Sequence, residues 1–463
     1  MKSPLLKAFA ALGMTCAMAL TIGCQSKSLK QPGKPLMLIG LDGLEWNVVL
    51  EMLDNDRLPN IARLMKDGLY GELSVTKPTL SPIIWTSIAT GMTADKHGIL
   101  GFIHPDRPDR SATEQLYTSA DRRVKAFWNI LSDYGLRVNT IGWWLTYPAE
   151  QVNGVMVAQV NTITPKMRRD GRGIWKGTLV RDLQGQVYPP EAHEKVLAAL
   201  PAVEQALPAL VQDLFKSRGK LVPSYEALLE QSVWAFRADA VYHRVAVDLL
   251  ERDPNFDLFA VYFGGSDVTG HRFWRFMYPD LYNTATPQAQ RRKLGGVVRA
   301  YYQYLDGVIG DLVAAAPADV TVMIVSDHGM DPVRTQTTTL GAGLSGGHLN
   351  GPAAFFIARG PLVNRGAQEK SRGPLKRSDL VEHGTILDIT PTLLAMLGVP
   401  VGKDMSGRVM RNVIDRDVLE RFKIDYVSSH TDGKWMRSRP SDERARADVG
   451  ERIEQLRQLG YID

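Results

Sequence analysis

Cysteine is almost absent from this chain of 463 residues. The two cysteines, Cys16 and Cys24, both lie in the first 24 residues, so the rest of the chain has no thiol and can form no disulfide. A folded region without thiols cannot form wrong disulfides in an oxidising compartment. Beyond Ile22, no apolar run is long enough to span a bilayer. The net charge of +5 is dispersed, and no dense basic stretch predicts a nucleic-acid-binding surface.

The first residues contain the one long apolar stretch. Lys2 and Lys7 precede apolar residues 8–22, which a glycine and Cys24 follow. A positive start, a short apolar stretch and a small residue predict an export signal rather than a spanning helix. Residues 20–24 resemble the lipobox of bacterial lipoproteins, which implies cleavage before Cys24 and attachment of lipid to it.

These features predict a signal peptide at residues 1–23 and a polar tether at residues 24–35. The resemblance implies a place in the bacterial cell envelope, anchored to a membrane by lipid and facing the periplasm or the exterior. Plain secretion, after cleavage at another small residue, is the alternative.

Short apolar runs alternate with helical patterns along the rest of the chain. Strands are predicted at residues 36–41, 138–144, 256–263, 320–325 and 353–357. Helices are predicted at residues 59–66, 128–134, 227–251 and 301–315. Such alternation predicts a doubly wound α/β sheet. Residues 162–225 are charged and weakly periodic, which predicts an insertion, either a cap over the active site or surface elaboration. The charged tail contains a predicted helix at residues 449–459.

Aspartate and histidine follow several of the predicted strands. Ligands in open α/β sheets bind outside the carboxyl ends of strands, so these side chains are expected at one edge. The candidates are Asp42, Asp267, His271, Asp327, His328 and His348. Each alone would be an ordinary cap or turn residue. Together they offer carboxylate oxygen and imidazole nitrogen, a ligand set suited to zinc, manganese or iron.

Ser81 stands at the start of another predicted helix. Pro82 follows it directly, and proline is favoured in the first turn of a helix. At that place, backbone N–H groups and the helix dipole favour an oxyanion or a phosphate. A serine hydroxyl becomes a good nucleophile once a base or a metal lowers its pKa. Ser81 is therefore a candidate nucleophile, with an N-cap serine as the alternative.

The motifs of the chain, taken in order, resemble one enzyme family. They are Gly40-Leu41-Asp42-Gly43, Leu58-Pro59-Asn60, residues 81–91, His97-Gly98-Ile99, Asp267 to His271, Ser326 to Met330, residues 358–361, residues 388–392 and Leu459-Gly460-Tyr461-Ile462. They are similar to the type I phosphodiesterase and nucleotide pyrophosphatase branch of the alkaline phosphatase superfamily. The resemblance implies a three-layer α/β/α sandwich with a mostly parallel central sheet and an inserted cap region. It places the catalytic domain at residues 36–410 and a C-terminal extension at residues 411–463.

The resemblance also implies roles for single residues. Two divalent metal ions are expected, zinc in the first place and manganese as the alternative. The residues implied for the first metal are Asp42, Asp327, His328 and the oxygen of Ser81, and those for the second are Asp267, His271 and His348. Thr79 is the alternative nucleophile, and His383 is the alternative to His348. The implied activity is that of a phosphodiesterase or phosphatase acting through a phosphoseryl intermediate.

Two departures limit the implied substrate. Nucleotide pyrophosphatases carry an asparagine for a phosphate oxygen shortly after the His-Gly-Ile motif, and Phe102 stands at that place. The sequence around Ser81 also lacks the motif that sulfatases need for formylglycine. A small-molecule phosphoester, or a lipid or glycan phosphoester, remains the expected substrate. A phospho-group transferase acting on lipid or glycan acceptors and a lipoprotein that binds without turnover are the alternatives.

Overall fold

A computed structural model of the chain describes residues 33–102, 104, 117–159, 185–215, 223–333, 344–364 and 374–432. Several predictions lie outside the described residues: the signal peptide with Cys24, residues 160–184 of the insertion and the helix at residues 449–459. Within the described ranges, no helix is long and apolar enough to cross a bilayer.

The strands belong to one large sheet and two small pairs. In chain order they are β1 (Leu36–Leu41), β2 (Leu69–Ser74), β3 (Val138–Ile141), β4 (Met156–Val157), β5 (Val187–Tyr188), β6 (Leu258–Phe263), β7 (Thr321–Val325), β8 (Asp331–Pro332), β9 (Gly346–Gly347), β10 (Ala354–Arg359), β11 (Val381–Thr385), β12 (Val401–Gly402) and β13 (Tyr426–Val427). Nine of them form the central sheet in the order β11-β2-β10-β7-β1-β6-β3-β4-β5. Only β10 and β5 run antiparallel to their neighbours in it. The remaining pairs are β8 with β9 and β12 with β13.

Helices cover both faces of this sheet. They are α1 (Trp46–Leu53), α2 (Pro59–Lys66), α3 (Ser81–Thr90), α4 (Ala94–His97), α5 (Phe127–Asp133), α6 (His193–Leu197), α7 (Leu200–Phe215), α8 (Pro223–Arg252), α9 (Gly265–Met277), α10 (Gln288–Leu294), α11 (Val297–Ala315), α12 (Ile389–Met396) and α13 (Arg416–Arg421). Short 3-10 turns lie at residues 119–121, 190–192, 279–281, 377–379 and 386–388.

The central strand β1 shows why the apolar runs are continuous. Met37, Ile39 and Leu41 point into one core, with side chains of α1, α2, α8 and α11. Leu36 and Leu38 point into a second core on the other face, with side chains of α3, α5 and α12. Because both faces of the strand are covered, every position is apolar. These two cores confirm the predicted three-layer sandwich with a mostly parallel sheet.

The ends of the predicted elements shift by a few residues. The predictions for β1 and α2 coincide with the structure, whereas α8 and α11 begin four residues before their predicted starts. The strand predicted to reach residue 144 ends at Ile141, because Gly142 turns the chain with a φ of 69°. A Cβ atom at Gly142 would lie 2.7 Å from the ring of Tyr242, so only glycine fits this turn.

The described part of the predicted insertion lies at one side of the sandwich. Strand β5 extends the sheet by pairing with β4, so that Tyr188 faces Met156. Helix α7 packs against α8 and α11 in one helical layer. Residues 185–215 therefore belong to the sheet edge and to this layer. The cap over the active site stays a prediction.

Candidate active site

The predicted ligands come together at the carboxyl edge of the central strands. Asp42 follows β1, Asp327 and His328 follow β7, and His348 follows the short strand β9. Asp267 and His271 lie on α9, which begins two residues after the end of β6. All six side chains are buried. Parallel neighbours end at the same edge, so the order of the strands in the sheet places residues far apart in sequence side by side.

The first group consists of Asp42, Asp327 and His328. His328 Nε2 lies 3.1 Å from Asp327 Oδ2 and 3.6 Å from Asp42 Oδ1. Asp327 Oδ1 accepts hydrogen bonds from the backbone N–H groups of Gly43 and His328, each at 3.1 Å. One oxygen of each carboxylate is thus turned toward the imidazole.

The second group consists of Asp267, His271 and His348. Asp267 Oδ1 lies 3.3 Å from His271 Nε2 and 3.8 Å from His348 Nε2. The ring of His348 stacks on that of His328, with centroids 3.6 Å apart. One ligand atom from each member of the second group lies within 4.8 Å of the others, and the same holds for Asp42, Asp267 and His328. Asp267 therefore lies between the two groups.

Backbone carbonyls fix the orientation of two imidazoles. His271 Nδ1 donates to the carbonyl of Gly346 at 2.8 Å, and His328 Nδ1 donates to that of Gly329 at 2.9 Å. A carbonyl oxygen can only accept, so each ring carries its proton on Nδ1 when neutral. The unprotonated Nε2 then faces the carboxylates, as in a metal-ligating histidine.

Burial and neighbouring charges shift the pKa values of the candidate ligands. Burial raises the pKa of Asp42, and the neighbouring carboxylates of Asp327 and Asp267 raise it further. Burial by itself lowers the pKa of His328, but the carboxylates of Asp327, Asp42 and Asp267 outweigh it and raise this pKa to about 10. Burial and the neighbouring His328 lower the pKa of His348. Carboxylates packed together away from water need a cation to balance them.

These residues fit divalent metal ions. Asp42 Oδ1 is buried and accepts no hydrogen bond within the described part of the chain. Neither Asp42 nor Asp327 pairs with a lysine or an arginine there. Buried polar atoms of native proteins are nearly always satisfied, and exceptions often mark an ion site. Two mixed groups of carboxylate and imidazole suit zinc, and manganese accepts the same atoms.

Ser81 is the first residue of α3, and its Oγ atom is buried with no hydrogen-bond partner among the described residues. The N-cap residue of the helix is Leu80, so Ser81 does not act as the cap. Thr79, the alternative nucleophile, donates its hydroxyl to the carbonyl of His348 at 2.7 Å. The Thr79 hydroxyl is thus engaged in holding a ligand loop, whereas the Ser81 hydroxyl is not.

His383, the alternative to His348, lies elsewhere. It belongs to the edge strand β11, where its Nε2 donates to the carbonyl of Tyr70 at 3.1 Å. Its ring packs against Phe356. Among the described residues, neither group of converging ligand atoms contains His383.

Two aromatic residues that the sequence did not single out hold Asp42. The Tyr262 hydroxyl donates to Asp42 Oδ2 at 2.6 Å, and Trp85 Nε1 donates to the same atom at 3.0 Å. Tyr262 lies in β6 and Trp85 lies one turn after Ser81 in α3. By sequence pattern both rings are ordinary core residues. The pairing of β6 with β1 brings Tyr262 beside the end of β1, and the packing of α3 brings Trp85 to the same carboxylate.

Glu45 is a third residue beside the candidate ligands that the sequence did not single out. It is buried, and Oε2 accepts from the N–H of Met330 at 3.2 Å. Arg377 pairs with its other oxygen and also with Glu72. Glu45 thereby holds the segment that carries Asp327 and His328. The available signal in the sequence is a carboxylate three residues after Asp42.

The shared motifs outside the ligands fasten the site to the sandwich. His97 Nδ1 accepts from the N–H of Ile99, and Nε2 donates to Ser87 Oγ at 3.1 Å, which ties the His-Gly-Ile loop to α3. Burial, with Arg122 nearby, lowers the pKa of His97 to about 3, so this histidine is neutral. Thr390 donates to the carbonyl of Ile88 and holds α12 against the same helix.

The Leu-Pro-Asn motif has a similar role. Asp306 of α11 accepts from the N–H groups of Asn60 and Ile61, at 3.1 and 2.8 Å, and caps α2. The Asn60 side chain donates back to the Asp306 carbonyl at 3.0 Å. The motif therefore joins two helices of one layer and does not reach the ligand groups.

Comparison with known proteins places the chain. The family model for type I phosphodiesterase / nucleotide pyrophosphatase matches residues 36–342. No curated protein matches the sequence. Among solved structures, the chain is similar to phosphonoacetate hydrolase from Sinorhizobium meliloti 1021, at 16% identity and a TM-score of 0.38. That match covers 66% of this chain and 59% of the hydrolase.

Two further solved structures have a similar level of likeness. Murine ectonucleotide pyrophosphatase / phosphodiesterase 5, solved in complex with AMP, shares 10% identity over 82% of this chain and 100% of its own, with a TM-score of 0.45. A putative sulfatase from Bacteroides thetaiotaomicron shares 12% identity over 86% of this chain and 76% of its own, with a TM-score of 0.44.

The family assignment rests on the match to residues 36–342. It covers more than half of the 463 residues and includes Asp42, Ser81 and Asp327. The chain therefore belongs to the type I phosphodiesterase / nucleotide pyrophosphatase family.

Proposed function

We propose that this phosphoester hydrolase works through a phosphoseryl intermediate on Ser81, at a site that holds two divalent metal ions. The observation that carries the proposal is the Ser81 Oγ atom, buried without a hydrogen-bond partner among the described residues, between two residues tied to the ligands. Thr79, two residues before it, bonds the backbone of His348, and Trp85, four residues after it, bonds Asp42.

The ligands divide into the two groups described above. Asp42, Asp327 and His328 would hold one ion beside Ser81, and the group of Asp267, His271 and His348 would hold the other. When bound, such ions lower the pKa of a hydroxyl and neutralise charge on phosphoryl oxygens. The imidazole content favours zinc, with manganese as the alternative.

The chain's own residues supply the remaining parts of the mechanism. Ser81 Oγ attacks phosphorus, the ester oxygen leaves as an alcohol, and a phosphoserine forms. Water then attacks the same phosphorus and releases phosphate or a phosphomonoester, which restores the serine. The backbone N–H groups in the first turn of α3 favour the negative oxygens throughout. A transferase would differ only in using another hydroxyl in place of this water.

The test uses two hydroxyl residues of the same helix. Ser81→Ala should lower kcat on aryl phosphate monoesters and diesters by at least about 10³-fold, because the nucleophile is lost. Thr86→Val is the matched control and should keep activity near the wild-type level, since Thr86 is also buried in α3 but its hydroxyl bonds the carbonyl of Pro82 in the same helix. Quenched wild-type reactions should show a phosphoryl group on the peptide that contains Ser81. Wild-type turnover by Ser81→Ala would contradict the assignment of Ser81 as nucleophile. Full activity after complete removal of metal by a chelator would contradict the metal site.

The location of the protein limits which phosphoesters it meets, and the N-terminal sequence bears on that location. We infer from residues 2–24 that the chain is exported and anchored to a membrane through lipid on Cys24. The positive start, the short apolar stretch and the lipobox-like ending support this inference.

A further inference from the structure

Large apolar side chains are seldom exposed in the described part of the chain. The exposed ones are Leu100, Leu281, Val333, Leu349, Val381 and Tyr426. Three of them border the candidate active site. Leu349 is 78% exposed and directly follows the ligand His348, and Leu100 is 51% exposed and directly follows the His-Gly-Ile motif. Val333 is 36% exposed. Single exposed leucines are ordinary, but several around one site indicate a binding surface.

Contacts between loops bring these residues around Ser81. The Thr79 hydroxyl bonds the carbonyl of His348, which places residues 348–351 beside residues 77–81. A Cβ atom on Gly101 would lie 4.0 Å from Leu80 Cδ1, so the loop of Leu100 borders the start of α3. Leu100 and Leu349 are thus on two loops that both contact the segment leading into Ser81.

Val333 lies beside the residues that precede His348. Its N–H donates to the carbonyl of Ser345 at 2.8 Å. A Cβ atom on Gly347 would lie 2.7 Å from Val333 Cγ2, so the side chain covers the residue next to His348. We call Leu100, Val333 and Leu349 the apolar rim.

A chain of aromatic contacts links the loop of Leu100 to Asp42. The ring of Phe102 packs edge-on against Trp144, with centroids 5.9 Å apart. Trp144 packs in turn against Tyr262 at 6.3 Å, and Tyr262 bonds the ligand Asp42. Phe102 stands where the resemblance implies an asparagine for a phosphate oxygen. A buried aromatic ring therefore stands where the resemblance implies a polar side chain.

We propose that the apolar rim binds a hydrocarbon chain carried by the phosphoester, so that the substrate class is a phosphoester with a long alkyl or acyl group. This proposal rests on the proposed function. A polar substituent would leave the rim exposed to water, whereas an alkyl chain would cover it and gain free energy in proportion to its length. Each methylene that becomes buried should raise kcat/KM roughly fourfold.

The experiment compares aryl alkyl phosphodiesters with methyl, butyl and octyl chains, below their critical micelle concentrations. The full chain is used at one fixed detergent concentration, with zinc added. Wild-type kcat/KM should rise with chain length. In the double variant Leu100→Ser/Leu349→Ser, the octyl-to-methyl ratio of kcat/KM should fall by about tenfold or more. The matched control, Leu281→Ser/Val381→Ser, replaces two exposed residues outside the rim and should keep the wild-type ratio.

Binding of methyl- and octylphosphonate, followed by calorimetry, separates the rim from the chemistry. Octylphosphonate should bind more tightly than methylphosphonate, and the double variant should lose this difference. That result supports the rim proposal even if no diester is hydrolysed. Absence of hydrolysis would overturn only the proposed function. Equal kcat/KM values and equal affinities across chain lengths would overturn the rim proposal and leave the hydrolase intact. If the values are equal and the protein sediments with phosphatidylglycerol vesicles only when the rim is intact, the rim binds a membrane surface. That result would also overturn the rim proposal.

Discussion

Tyr262 offers a direct test of how the chain presents Asp42 to a metal. The Tyr262 hydroxyl and Trp85 Nε1 both donate to Asp42 Oδ2, at 2.6 and 3.0 Å. Since Oδ2 accepts both bonds, Oδ1 is left facing His328 Nε2 at 3.6 Å. The pair of donors thus fixes both the rotation of the carboxylate and the oxygen that it offers.

Tyr262→Phe removes one of these donors and retains the ring, which packs edge-on against Trp85 with centroids 5.1 Å apart. A hydrogen bond to a charged group contributes about 1.5–3 kcal/mol, which corresponds to roughly 10–100-fold in an equilibrium constant. Loss of an outer partner of a metal ligand has an effect of about the same size. Because Trp85 still holds Asp42, we expect zinc affinity to fall by roughly tenfold.

Zinc affinity is measured by competition with a chromophoric chelator on metal-free protein, so the result needs no substrate. Tyr278→Phe is the matched control. It removes a 3.0 Å hydrogen bond from tyrosine to the carboxylate of Glu51, which Arg299 also binds. This control should lose stability without losing zinc. Unchanged zinc affinity in Tyr262→Phe, or an equal loss in the control, would refute the reasoning.

Two further predictions concern a buried acid and the anchor. Burial raises the pKa of Asp239 to about 6, although the hydroxyl of Tyr301 and the N–H groups of Gly264 and Gly265 lower it. Its contribution to stability is therefore fully present below the unfolded pKa of 3.8 and is lost as pH rises through 6. The free energy of unfolding of metal-free wild type, minus that of Asp239→Asn, should fall by about 2.5 kcal/mol from pH 4 to pH 7. A difference that stays constant over this range in denaturant unfolding would contradict this prediction. Cys24→Ala should move the protein from the detergent phase to the aqueous phase in Triton X-114 partitioning, and an unchanged distribution would remove the lipid anchor.

The sequence predicts elements whose signal is complete within the element itself. Strand β1 is apolar at every position because both faces are covered, and α2 carries its own proline start, so both were predicted to the residue. Strands β4 and β5 have two residues each and exist only through pairing, so no local pattern could reveal them. The extra turn at the start of α11 could not be predicted from local pattern either, because tertiary packing rather than helix propensity stabilises it.

The residues of the candidate site also differ in how far the sequence could predict them. Asp42 and Asp327 could be predicted because each directly follows a recognisable strand. The choice between His348 and His383 depends on which of the two lies at the carboxyl edge of the sheet. Spacing in the sequence does not determine how far each residue lies from that edge. Tyr262 could not be predicted as a partner of Asp42, because an aromatic residue near the end of a buried strand is ordinary core until its neighbours are known.

Asp267 shows how the fold and the site depend on each other. It lies in the first turn of α9, where the helix dipole favours a negative charge, and it lies between the two ligand groups. The start of that helix is held by Asp239, which accepts from the N–H groups of Gly264 and Gly265 at 2.9 Å each. The position of Asp267, the candidate ligand shared by both groups, is therefore set by a buried carboxylate of another helix, α8. A site built in this way is formed by packing before any ion binds, and its ligands need little rearrangement to receive one.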